Sequence, residues 1–168
     1  RTTESHINVI LNQTPQEKGA FIILDVDKFK EVNDHYGHAV GDAVLSKLGQ
    51  TLLTYFREND IVGRIGGDEF VIYMRKTASR DGTVSRIQTL LETVRGLSFE
   101  EMNGNHITLS IGVAFAPEHG NNYMDLYKNA DIALYETKQQ GRDGYHLYHA
   151  PNRHDPPPHT SYVRSLSP

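Results

Sequence analysis

The stretch Ala20-Phe21-Ile22-Ile23-Leu24-Asp25-Val26-Asp27 decides the fold. An apolar run of this length, closed by acids, reads as a strand buried at the centre of a sheet. Working outward, Glu4 to Asn12 carries Ile7, Ile10 and Leu11 at helical spacing, and Pro15 and Gly19 end that helix. After the strand, Asp27 to Asn33 begins a short helix with Asp27 as its N-cap. Gly37 interrupts it. From His38 to Phe56 the residues Val40, Val44, Leu45, Leu48, Leu52 and Phe56 follow a helical period.

Further along, Asp60 to Gly63 and Glu69 to Met74 read as two strands of a hairpin turned at Gly66-Gly67. Thr83 to Val94 is an amphipathic helix and His106 to Ala114 an alternating, β-branched strand. Asp125 to Gln139 is a helix stopped by Gly141, and Tyr145 to Tyr148 is a last strand. Strands and helices are therefore mixed around hairpins, which predicts an α+β sheet with helices packed on it. Five of the seven prolines fall in residues 151–168. The domain is expected over 1–150, with 151–168 as a disordered or appended tail.

Bulk properties narrow the function classes. At 168 residues, 38% hydrophobic and 23% charged, the chain has ordinary globular composition for one domain. A net charge of −4 argues against binding a nucleic-acid polymer, but not against one nucleotide in a local pocket. Without cysteine there is no disulfide and no thiolate zinc site, a composition compatible with the cytoplasm. No apolar run is long enough to span a membrane, so this domain is expected to make no membrane contact. The start at Arg1-Thr2-Thr3 carries no signal-peptide pattern and no Met, and reads as part of something longer.

Two constellations carry chemistry. Asp25-Val26-Asp27 places carboxylates at a strand end, where oxygen ligands can hold a hard cation; both acids could equally cap the next helix. Gly66-Gly67-Asp68-Glu69 puts two acids directly after a tight turn, costly by repulsion unless a cation neutralises them. A plain Gly-Gly turn with solvated acids is the other reading. Together, the two acidic sites suit Mg²⁺, which takes one or two carboxylates plus substrate phosphates.

Arg64-Ile65-Gly66-Gly67-Asp68-Glu69-Phe70 contains the signature of the GGDEF family, the catalytic domains of diguanylate cyclases. Asp25-Val26-Asp27-Lys28-Phe29-Lys30-Glu31-Val32-Asn33-Asp34-His35-Tyr36-Gly37-His38-Ala39-Val40-Gly41-Asp42 resembles the D-x-D-x-F-K-x-x-N-D-x-x-G-H-x-x-G-D block of that family. Ser110-Ile111-Gly112-Val113-Ala114 resembles its S-I-G-V-A strand. Ala130-Asp131-Ile132-Ala133-Leu134-Tyr135, with Lys138 and Gly141-Arg142, resembles its helix end. The resemblance spans about residues 5 to 148, and four motifs in order make it specific.

It implies a mostly antiparallel five-stranded sheet flanked by helices, in the order βααββαβαβ of the nucleotidyl-cyclase palm. It implies condensation of two GTP into cyclic di-GMP and two pyrophosphates at a homodimer interface, with Mg²⁺ or Mn²⁺. Asp25, the Val26 carbonyl, Asp68 and Glu69 would hold the metal, and Asp68 or Glu69 would accept the proton of the attacking 3′-hydroxyl. Lys28, Phe29 and Lys30 would cradle phosphates through backbone amides, and Gly66 and Gly67 would let the backbone approach substrate. Lys138 and Arg142, four apart at a helix end, would reach phosphate from one face, though cations there also suit the helix dipole. Asn33 and Asp42 would read guanine, favouring GTP over ATP, with His38 one turn before Asp42. Arg57-Glu58-Asn59-Asp60 with Arg64 matches the R-x-x-D product-inhibition site; a surface ion pair is the bland alternative.

One departure is the absence of the L-T-G-L-x-N-R block that usually precedes the first helix, Arg1 standing where its last residue would. That loop lies near ribose and phosphates in relatives, so weaker GTP binding is expected. Two rival readings stand beside the cyclase. One is a catalytically silent module that binds cyclic di-GMP or GTP; the other is a cyclase- or polymerase-like enzyme for another nucleotide. The input signal is expected upstream, with or without a membrane anchor.

Overall fold

The strand β1 (Gly19–Val26) is buried along its whole length. It lies third in a five-stranded sheet of order β2-β3-β1-β4-β5. In the computed structural model, which describes residues 2–151, the other strands are β2 (Ile61–Gly66), β3 (Glu69–Met74), β4 (Leu109–Ala116) and β5 (Gly144–Leu147). β1 runs antiparallel to both neighbours, β2 and β3 form an antiparallel hairpin, and β5 alone pairs in parallel, against β4. The expected α+β, mostly antiparallel architecture is present. Arg1 and residues 152–168, and with them nearly all of the expected tail, lie outside the described residues.

Side chains alternate across a strand, so β1 feeds two cores. Ala20, Ile22, Leu24 and Val26 pack with Val44, Leu45, Leu48 and Leu52 of α3 (His38–Tyr55) and Ile87, Leu90, Leu91 and Val94 of α4 (Arg80–Arg95). Phe21 and Ile23 face the other way, onto Ile7, Ile10 and Leu11 of α1 (Thr3–Gln13) and Leu126, Tyr127, Ala130 and Leu134 of α5 (Tyr123–Gln139). Helices on both faces explain why this strand lacks polar alternation. Ile22 is fully buried, so truncating it to Ala is expected to cost about 2–5 kcal/mol.

Two glycines set distances that matter for the site. A Cβ on Gly112 of β4 would lie 2.2 Å from the Ala130 carbonyl and 2.3 Å from the Leu134 amide nitrogen. α5 therefore packs directly on β4, which brings its side chains to the end of β1. Gly67 has φ +50 in the β2–β3 turn, a left-handed conformation natural for glycine. A register shift between Arg64 and Gly66 bulges the hairpin just before it.

Element boundaries depart from the sequence reading in three instructive places. α2 spans Phe29–Tyr36 and its N-cap position is Lys28, in a left-handed conformation with no side-chain cap. Asp27 is thus not the cap, because its carboxylate is engaged elsewhere. α4 starts earlier than Thr83, at Arg80, since the Ser79 hydroxyl accepts a hydrogen bond from the Gly82 amide (3.0 Å) and caps it. The last antiparallel strand begins at Leu109, later than His106, and is preceded by a 3-10 turn at Glu100–Met102.

Candidate functional site

The β1–β3 register pairs Asp25 with Glu69. Residues directly opposite on antiparallel strands share a face. The parity that sends Phe21 and Ile23 toward α5 sends Asp25 the same way. The two acidic constellations, far apart in sequence, therefore meet at one end of the sheet under α5. Asp68, in the hairpin turn, lies close enough to the end of β1 for the Val26 backbone to act on its carboxyl.

Lys138 closes the cluster from α5, with its Nζ 2.6 Å from Asp25 Oδ2. Asp25 Oδ1 is buried and has no hydrogen-bond partner. Burial pushes the Asp25 carboxyl up to about 6, with Lys138 opposing and Asp68 and Asp27 adding to the rise. Asp68 and Glu69 are also held above the usual carboxylate range, by burial first of all. Lys138 opposes the rise at all three. Glu69 Oε1 accepts a hydrogen bond from the Tyr127 hydroxyl, and Asp131 repels it from the same helix.

Crowded carboxylates with one orphaned buried oxygen are the donor set that a hard dication relieves. Among the described residues no group of three or more His, Cys, Asp or Glu side chains is arranged to hold a metal by itself. A hard dication at this end of the sheet would draw further ligands from backbone and phosphate oxygens and from water. Asp25, the Val26 carbonyl, Asp68 and Glu69 remain the residues that suit it.

Asp27 does different work. Its carboxylate accepts from Thr108 Oγ1 (2.6 Å), from the Asp143 amide (2.9 Å) and from the Ser110 hydroxyl. These bonds tie the end of β1 to β4 and to the loop after α5. The α2 ladder starts with the amides of Glu31 and Val32 bonding the Lys28 carbonyl. The Phe29 and Lys30 amides precede that ladder, at the end of a helix that favours phosphate.

The Asn33 side chain packs on Gly41, the residue before Asp42. A Cβ on Gly41 would lie 1.9 Å from Asn33 Oδ1, so the Asn33 amide crosses the helix backbone beside Asp42. Asp42 is exposed at the mouth of a groove of about 370 Å³ between α3 and the β2–β3 hairpin. His38 is exposed on the first turn of α3, four residues earlier.

Two sequence expectations separate in space. Arg142 does not share a helix face with Lys138, because it lies past the end of α5 at φ 66. There it lines a cavity of about 570 Å³ with Lys28, His35 and His106. Arg64 does not join Arg57 and Asp60: its Nε donates to the Gly67 carbonyl (2.9 Å) and it lines the Asp42 groove. Arg57 and Asp60 instead line a cavity of about 370 Å³ with Arg75, Lys76 and Arg86. The sequence reading missed these last three, and also Tyr127. Helical spacing could have flagged Tyr127, which stands four residues before Asp131 in α5.

Comparison with known proteins agrees with this fold. The family described as "Diguanylate cyclase, GGDEF domain" matches residues 1–144. The diguanylate cyclase DosC of Escherichia coli is 38% identical over 130 residues, covering 77% of this chain and 28% of DosC. PdeR of Escherichia coli, named a cyclic di-GMP phosphodiesterase, is 31% identical over 144 residues, covering 84% of this chain and 21% of PdeR. The chain thus spans about a quarter of the length of these relatives. The crystal structure of the GGDEF domain of YfiN (TpbB) from Pseudomonas aeruginosa superposes with a TM-score of 0.81 at 31% identity, covering 88% of this chain and 94% of that one. With its signature acids joined on one end of a shared fold, the chain belongs to the GGDEF domain family.

Proposed function

We propose that the chain is a catalytic diguanylate cyclase domain that condenses two GTP into cyclic di-GMP and two pyrophosphates. The observation that carries this is the pairing of Asp25 with Glu69, with Asp68 beside them, around a buried oxygen that lacks a partner. A bound Mg²⁺ or Mn²⁺ would neutralise the α-phosphate and lower the pKa of the attacking 3′-hydroxyl. Asp25, the Val26 carbonyl, Asp68 and Glu69 would hold it. Asp68 or Glu69 would accept the hydroxyl proton, Glu69 through the oxygen that Tyr127 leaves free. Lys28, Phe29 and Lys30 orient the phosphates through their amides, and Lys138 and Arg142 bind them from opposite sides of the α5 end. Gly66 and Gly67 keep the turn open to substrate. Asp42 accepts from the guanine N1 and N2 hydrogens and Asn33 pairs with the same base through its amide, with His38 beside them.

Each domain binds one GTP, so two copies face each other as a homodimer. Positioning and electrostatics supply most of the rate. Its substrate assigns the reaction to the cytoplasm, and among the described residues no helix is long and apolar enough to cross a membrane. Product inhibition is assigned to the Arg57–Asp60 cavity.

The protein, GTP and Mg²⁺ are incubated at concentrations that drive dimerisation, and cyclic di-GMP is measured. Product from the wild type and none from Asp68→Ala supports the reading. GTP bound without product in the dimer would make the domain a silent binding module.

A further inference from the structure

α5 presents Tyr127, Asp131 and Lys138 from one stripe, at helical offsets of four and seven residues. Lys138 reaches Asp25 and Tyr127 reaches Glu69. The Tyr127 ring is 5% exposed. It stacks on Tyr123 at a centroid distance of 5.8 Å and meets Phe21 edge-on at 6.3 Å. Held on two sides by rings, it gives its hydroxyl a fixed place. Burial and the Glu69 charge push the phenol far above its ordinary value, so it remains a donor.

A glutamate has three side-chain torsions and two equivalent oxygens, and its terminal torsion is soft. A fixed donor on Oε1 removes most of that freedom and leaves Oε2 to face a cation. Asp131, which repels Glu69, discourages a swing back toward the helix. We propose that Tyr127 is a positioning residue, holding Glu69 through Oε1 so that Oε2 is presented to the divalent cation; this rests on the cyclase reading above. Outer-shell partners of this kind are worth about 10–100-fold in metal affinity.

The test is Mn²⁺ affinity, measured by electron paramagnetic resonance with a non-hydrolysable GTP analogue present. Tyr127→Phe removes only the hydroxyl and is expected to weaken Mn²⁺ about tenfold without changing thermal unfolding. Tyr123→Phe, which alters the stacked neighbour, is expected to leave Mn²⁺ affinity unchanged. In a Glu69→Gln background the Tyr127→Phe change should have no further effect. Equal Mn²⁺ affinity in wild type and Tyr127→Phe, or additive effects in the double variant, would overturn the positioning role. That outcome differs from failure of the cyclase reading, which is scored by product from the wild type. Tyr127→Leu gives the same readout should Tyr127→Phe not fold.

Discussion

Lys138 Nζ stands 2.6 Å from Asp25 Oδ2, joining the last turn of α5 to the end of β1. The contact is half-exposed on the lysine side and buried on the carboxylate side. It offsets part of the cost of burying the acid, while the second carboxylate oxygen stays unpartnered.

Removing the lysine should affect substrate more than fold. Lys138→Met is expected to weaken GTP-analogue binding about tenfold or more, the size of a lost charge-assisted contact. Calorimetric titration reads the change, and circular dichroism should show the fold intact.

Asp25→Asn should separate stability from function. Burial pushes the carboxyl up to about 6 from 3.8, so ionising it at neutral pH costs folding stability. The amide variant is therefore expected to melt a few degrees higher than wild type in chelator at pH 7.5. Synthesis of cyclic di-GMP should fall to background. A lower melting temperature would show that the Lys138 contact outweighs desolvation.

Gly41→Ala targets guanine recognition without touching a polar group. Its Cβ would fall 1.9 Å from Asn33 Oδ1 and must push that amide aside. The Michaelis constant for GTP should rise about tenfold, and the preference for GTP over ATP should shrink by a similar factor. Steady-state kinetics with both nucleotides measures it.

The two halves of the R-x-x-D motif should behave differently. Asp60 accepts the Arg57 and Arg75 amides, each at 3.0 Å, so Asp60→Ala should destabilise the protein by about 1–3 kcal/mol. The Arg57 side chain is exposed. Arg57→Ala is expected to relieve product inhibition with stability unchanged, read by cyclase assays with added cyclic di-GMP and by urea unfolding.

His119 should govern part of the acid limb of stability. It is buried, its Nδ1 accepts the Phe115 amide at 2.9 Å, and burial lowers its pKa below 6.5. Its contribution is complete above the unfolded value of about 6.5 and is lost as pH falls through the lower folded value. His119→Asn keeps an acceptor but cannot take the proton. Urea unfolding should show a smaller loss of stability between pH 7.5 and pH 5 in this variant than in wild type.

Short-range patterning already specified much of this protein. The apolar run of β1, the bounds Glu69–Met74 of β3 and the helical period of α3 follow from periodicity and turn chemistry, which act between near neighbours in the chain. The motif acids were legible for the same reason. What the sequence could not show is which side chains meet. Asp27 reads as a cap, but three donors, from β4, from Thr108 just before it and from the loop after α5, claim its carboxylate. Lys138 and Arg142 read as one helical pair, but the chain turns left-handed before Arg142 and sends it to another cavity. Tyr127 went unnoticed in the sequence, and only the approach of α5 over Gly112 brings its hydroxyl to Glu69. Strand register, helix approach and loop dihedrals are set by packing between distant segments, so those partnerships belong to the tertiary structure alone.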